Sequence, residues 1–246
     1  MNKWVWLGCC LLSSMTAAAD LSELHFITED YPPYNYKRNG EVHGISVDIL
    51  SAIFEASGLR LPRESIRLLP WARGYETALK EPNTVLFSTT RTPSREALFQ
   101  WVGPIARDRV TLIARRDRGL SLGSIPELNA SSFQVAVIRE DIGAQRLEEA
   151  GADPGRIISA ISNASALMML DRGRVDLWAY SEDVAFWIIE EQGLDVSDYE
   201  SILTLSESSL YFALNPATDA TLVASLQSGL DTLRERGTLN TLLERQ

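Results

Sequence analysis

The sequence predicts an α/β fold built in two halves. Three observations carry that expectation. Short β-branched runs alternate with segments of helical apolar spacing along most of the chain, the pattern of strand–helix–strand units with largely parallel sheets. The alternation restarts in the second half, so each half reads as an α/β unit of its own. Two extended segments, near 105–115 and 205–214, stand where the chain would cross between the units.

The elements follow in order. "LHFITED" is a short alternating strand, and the turn-rich "YPPYNYKRNGEVHG" comes after it. Ile45, Ile49, Leu50, Ile53 and Phe54 recur at helical spacing, and Gly58 ends that helix. "SIRLLPW" is extended, "GYETALKE" a short helix and "TVLFSTT" a strand. "PSREALF" is expected to open a helix, with Thr92 as its N-cap and Pro93 in the first position. "RVTLIAR" is a strand. The second series runs "FQVAVI" (strand), "DIGAQRLEEAG" and "ASALMMLDRG" (helices), "RVDLWAY" (strand), "DVAFWIIEEQG" (helix) and "SLYFALN" (strand), with helix over most of 218–245.

The N-terminus reads as a targeting segment. Lys3 supplies the positive start, Val5 to Leu12 a short apolar run, and Ala17 and Ala19 the small positions of a cleavage site after Ala19. The run is too short to span a bilayer. Lipidation at Cys9 is the alternative. Cleavage would take the basic count from 23 to 22 against 33 acidic residues, moving the net charge from −10 to −11. Such a surface repels nucleic acid and anionic lipid. Cys9 and Cys10 are the two cysteines, so a chain starting at residue 20 has no disulfide and no thiolate ligand. With His25 and His43 as its histidines, it offers little for a zinc site or a Ser-His-Asp triad. No cofactor or metal is called for, and no catalytic residue is assigned.

Five segments taken together resemble a known family, the bacterial extracellular solute-binding proteins of family 3, the periplasmic polar amino acid binding type of ABC importers. They are "YPPYNYKRNGEVHGISVDIL", "LLPWARGYETAL", "STTRTPSRE", "GRVDLWAYSED" and "LRERGTLNTLLER". The likeness covers nearly all of 20–246. It implies a two-lobe clamshell with two hinge strands, with lobe 1 as 20–108 plus 210–246 and lobe 2 as 109–209. The ligand would be trapped between the lobes. It also implies a periplasmic monomer that hands a small carboxylate-bearing solute to an ABC permease in the inner membrane. The alternatives are a binding protein that presents ligand to a receptor in trans, or a dehydratase-like enzyme on the same fold using Glu182 or Glu140.

The resemblance assigns Arg95 to the ligand's carboxylate, and the chemistry agrees. A guanidinium offers two parallel, charge-assisted donors. Ser88 and Thr90 precede it as further donors. Trp71, Tyr31 and Tyr34 are placed in the cleft as aromatic faces, whereas Tyr36 is assigned to packing. Arg91 is read as a solvated edge charge, with a second anion site as the alternative. Arg139 is counted among the ligand contacts, and Asp141 is expected to cap a helix. The stretch "YSED" leaves Ser181, Glu182 and Asp183 as amine partners, of which Glu182 is chosen. This stretch departs from the family pattern and leaves the ligand class open.

Overall fold

The structure, a computed structural model, describes residues 20–244. The expected targeting segment, with Cys9 and Cys10, lies outside the described residues. The chain forms one eight-stranded sheet plus a small hairpin. Its first strands are β1 (His25–Thr28), the hairpin β2 (Tyr36–Arg38) and β3 (Glu41–His43), β4 (Arg67–Leu68) and β5 (Thr84–Thr90). They are followed by β6 (Gln100–Arg115), β7 (Val135–Ile138), β8 (Ile157–Ala160), β9 (Leu177–Ser181) and β10 (Tyr199–Leu214). Within the large sheet the order is β4-β1-β5-β10-β6-β9-β7-β8.

Parallel pairs sit at both ends of this sheet and antiparallel pairs in the middle. The middle is made by β6 and β10, each 16 residues long, which run side by side along almost their full length. Toward one end β10 pairs with β5, and toward the other β6 pairs with β9. Two lobes therefore share two long strands. That is the clamshell expected from the sequence, and it explains why β6 and β10 outrun the short stretches "RVTLIAR" and "SLYFALN".

Helices cover the sheet. α1 (Ile45–Ala56), α2 (Trp71–Lys80), α7 (Ala220–Glu235) and α8 (Thr238–Leu243) belong with β1, β4 and β5, while α3 (Ile125–Ala130), α4 (Ile142–Glu149), α5 (Asn163–Asp171) and α6 (Glu182–Glu191) belong with β7, β8 and β9. α7 buries Leu222, Leu226, Leu230 and Leu233, one apolar stripe at helical spacing. β5 is buried along its whole length, as a strand covered on both faces must be.

Two expectations change. The segment "PSREALF" makes a turn and a single 3-10 turn over Glu96–Leu98, not an α-helix. Phe99 is already extended and β6 begins at Gln100, so no room is left for a second helical turn. Thr92 still caps locally, its Oγ1 accepting from the Arg95 amide at 3.3 Å. β8, not anticipated at all, forms the outer edge of the sheet beside β7.

Candidate functional site

Parallel strands deliver their C-terminal ends to one edge of each lobe, where ligands bind in open α/β sheets. β5 ends at Thr90, and the turn after it carries Arg95. The Arg95 side chain is 1% exposed. Its Nη1 donates to the Thr90 carbonyl at 3.2 Å and its Nη2 to the Glu140 carbonyl of the other lobe at 3.2 Å. The guanidinium stacks over Trp71 at 4.8 Å and Tyr75 at 5.4 Å from the ring centroids. Its Nε is buried without a partner, and no carboxylate lies within ion-pair distance of it among the described residues. Burial pulls its pKa down, against the opposing pull of Asp141 and the smaller pulls of Tyr75 and Glu29.

Trp71 opens α2, and its Nε1 donates to the same Glu140 carbonyl at 2.8 Å. That carbonyl is presented by a tight turn in which Glu140 has φ +64, a left-handed conformation uncommon for a side chain of this kind. Two donors from one lobe thus converge on one oxygen of the other, and the cleft is closed.

Two buried carboxyls act on Arg95, Glu29 and Asp141, and a third, Asp108, is joined to the site through Thr90. Glu29 ends β1 and is 9% exposed; its pKa is well above the ordinary range, first because of burial and then because of Asp141. Asp141 is 3% exposed and is pushed up to about 6, chiefly by burial. Its Oδ1 caps α4 by accepting from the Ile142 amide at 2.6 Å, while its Oδ2 is buried with no partner. Asp108, on hinge strand β6, accepts from Thr90 Oγ1 at 3.0 Å and Tyr31 Oη at 3.3 Å. Burial raises its pKa too, with those bonds working against the shift. These acids face the Arg95 guanidinium and the charge of Arg146, whose side chain is 15% exposed, and isolated buried charge is costly.

The aromatic wall is built from both lobes. The Tyr31 ring lies 5.9 Å from Tyr34 and 5.6 Å from Tyr180, the latter edge-on. Tyr180 accepts from Asn163 Nδ2 at 2.7 Å, and the same amide reaches the Asp30 carbonyl across the cleft at 3.4 Å. Tyr34 Oη lies 3.2 Å from Asp183 Oδ2 and 3.3 Å from the Arg107 carbonyl.

The structure therefore brings Arg95, Trp71, Tyr31, Tyr34 and Thr90 together. Ser88 is buried, but its hydroxyl is engaged with Asn35 and Ser46, tying β5 to the start of α1. Arg139 departs from its expected place: its side chain is 76% exposed, 3.9 Å from Glu140, because the turn at Glu140 sends the backbone carbonyl and Asp141 inward and leaves Arg139 outside. Glu182 departs too, being ion-paired with Arg109 of β6. Arg91 pairs with Glu96 and stacks over Trp101 at 5.7 Å and Tyr211 at 5.5 Å, a surface clamp on β6 and β10. Glu29, Asp108 and Asp141 lie outside "YSED", whereas Asp183 of that stretch meets Tyr34. Glu29 had a signal, its place at the end of the first strand. Asp108 had none, since it lies in a strand between two arginines.

The family's sequence profile matches residues 25–245. The chain belongs to the bacterial extracellular solute-binding proteins, family 3. A probable amino-acid-binding protein of Bacillus subtilis, YxeM, is 23% identical over 258 residues, covering 100% of this chain and 95% of that protein. Among solved structures, a histidine kinase sensor domain with similarity to periplasmic binding proteins superposes with a TM-score of 0.79 at 22% identity, over 90% of this chain and 95% of that one. A mutant of the T. maritima protein ArgBP superposes at 0.76 and 20%, over 91% and 95%. These likenesses establish the family's two-lobe fold. Among the described residues, no helix is long and apolar enough to cross a membrane.

Proposed function

We propose that this family 3 member captures an amino acid between its lobes, with preference for one bearing a cationic side chain, and delivers it to an ABC-type permease from the periplasm. What carries the reading is Arg95, buried in a closed cleft among carbonyl oxygens and aromatic rings, with no carboxylate in ion-pair contact among the described residues. A ligand carboxylate would take the guanidinium bidentately, in competition with the Glu140 carbonyl. The ligand's ammonium would fall among Glu29, Asp108 and Asp141, all buried. Acids that hold their protons in the empty cleft ionise against a cation, so a second cationic group on the ligand is favoured and an acidic side chain is opposed. The aromatic faces of Trp71, Tyr31 and Tyr180 hold such a group by cation–π contact. No step here requires bond making, and the hinge strands β6 and β10 supply the motion that opens and closes the cleft.

Calorimetric titration of the purified protein with arginine, lysine, histidine, glutamine and glutamate tests this. The expected order places the cationic amino acids first and glutamate last. Arg95→Ala should cost about 2–5 kcal/mol of binding, as expected when one partner of a buried charge pair is removed. Unchanged affinity in that variant would sink the assignment of Arg95, and glutamate binding best would overturn the charge argument.

A further inference from the structure

Apart from the Arg95 cluster, a cavity of about 540 Å³ lies between the lobes. None of Glu29, Trp71, Arg95, Asp108 or Asp141 lines it. One wall is a single face of α6, where Asp183, Phe186, Trp187 and Glu190 follow one another at i, i+3, i+4 and i+7. The facing wall comes from the other lobe, chiefly Tyr36, His43 and Ile45. The Tyr36 and Trp187 rings meet across the lobe boundary at 5.3 Å.

The arrangement has a polarity. Two aromatic side chains form the middle of the α6 wall, and a carboxylate stands at each end. Seven residues of helix separate those carboxylates by about 10 Å along the axis. Asp183 accepts from Tyr34 Oη, and Glu190 is exposed with no ion pair among the described residues. The third lining acid, Asp48, is already held by Arg63 at 2.7 Å. Half-buried aromatic faces beside unneutralised acids attract cations that carry apolar surface.

We propose that this groove is a second ligand site, for an elongated organic dication whose apolar body lies on Phe186 and Trp187 and whose ends meet Asp183 and Glu190. Because its walls belong to different lobes, its occupancy is linked to lobe closure, and ligands in the groove and in the cleft alter one another's affinity reciprocally. The ligand class assigned to the groove does not rest on the reading of the Arg95 cleft, since its ligand needs no carboxylate.

The probe is 1,8-diaminooctane, with octane-1,8-diol as the neutral control, titrated into the purified protein by calorimetry. Saturable binding of the diamine and none of the diol is expected. Glu190→Gln, at an exposed position, should weaken the diamine about two- to fivefold, the range of one lost exposed ion pair. Trp187→Ala should weaken it further. Equal binding of the diol, no saturation at millimolar diamine, or full retention of diamine affinity in both Glu190→Gln and Trp187→Ala would overturn the site. A saturating diamine that leaves the arginine affinity of the wild type unchanged would overturn the linkage to closure.

Discussion

Asp141 is the residue on which the pH behaviour of the cleft turns. Its ordinary value of 3.8 is raised to about 6, chiefly by burial, and Glu29 is raised alongside it. A raised carboxyl pKa means that the folded, closed state holds the proton more tightly than the unfolded chain. The closed form without ligand is therefore most stable below about pH 4, and that contribution is lost as the pH climbs through 6. A cationic ligand reverses the sign, because the ionised acids bind it. Arginine affinity is expected to rise from pH 4.5 to 7.5, and Asp141→Asn is expected to flatten that rise. An affinity that falls over this range in the wild type would contradict the charge assignment. Arg95 was legible through the family resemblance of "STTRTPSRE", and the bidentate donors of a guanidinium agree with that role. Arg139 was misplaced because the φ of +64 at Glu140, which turns the carbonyl and Asp141 inward, has no signature in the sequence, and Glu29 was not singled out.

At the level of single elements, α4 and its leading turn carry most of the cleft's geometry. Gly143 packs so closely on β9 that a Cβ there would collide with the Ala179 carbonyl. Gly143→Ala is expected to destabilise the protein by about 1–3 kcal/mol, as overpacking does, with a lowered melting temperature and weaker ligand binding as α4 is pushed off the sheet. Glu140 makes a contrasting case. Its contribution to the cleft is a backbone carbonyl, and its left-handed backbone suits glycine. Glu140→Gly is expected to leave the melting temperature equal or higher and arginine affinity within a few-fold, measured by thermal shift and calorimetry. Strong loss of binding would show that the carboxylate itself matters. Most elements were readable because their apolar spacing is local. The helix expected over 93–99 was not, because the demand that Gln100 enter β6 overrides a good cap and a well-placed proline.

Across the whole molecule, closure sets Arg95 and Trp71 of one lobe against the Glu140 carbonyl of the other, and Asn163 against Asp30. These bonds are few, and the same closure leaves Glu29, Asp108 and Asp141 buried. At neutral pH without ligand, opening rehydrates those acids. Small-angle scattering is expected to give a larger radius of gyration for the ligand-free protein at pH 7.5, and a contraction on adding arginine. An identical radius in both states would argue against a ligand-driven hinge.

The sequence by itself determined most of the strands and helices, the two long crossings as candidates, and, through the family resemblance, the arginine and tryptophan that meet in the cleft. These are set by local periodicity and by short motifs whose residues lie on one strand end or one helix start. The tertiary structure alone decided which acids face the arginine. Glu29, Asp108 and Asp141 lie on β1, on β6 and at the start of α4, and they become neighbours only when two lobes fold and close on each other. Burial, which turns ordinary carboxyls into ligand-selecting ones, belongs to that assembly and to no single stretch of the chain.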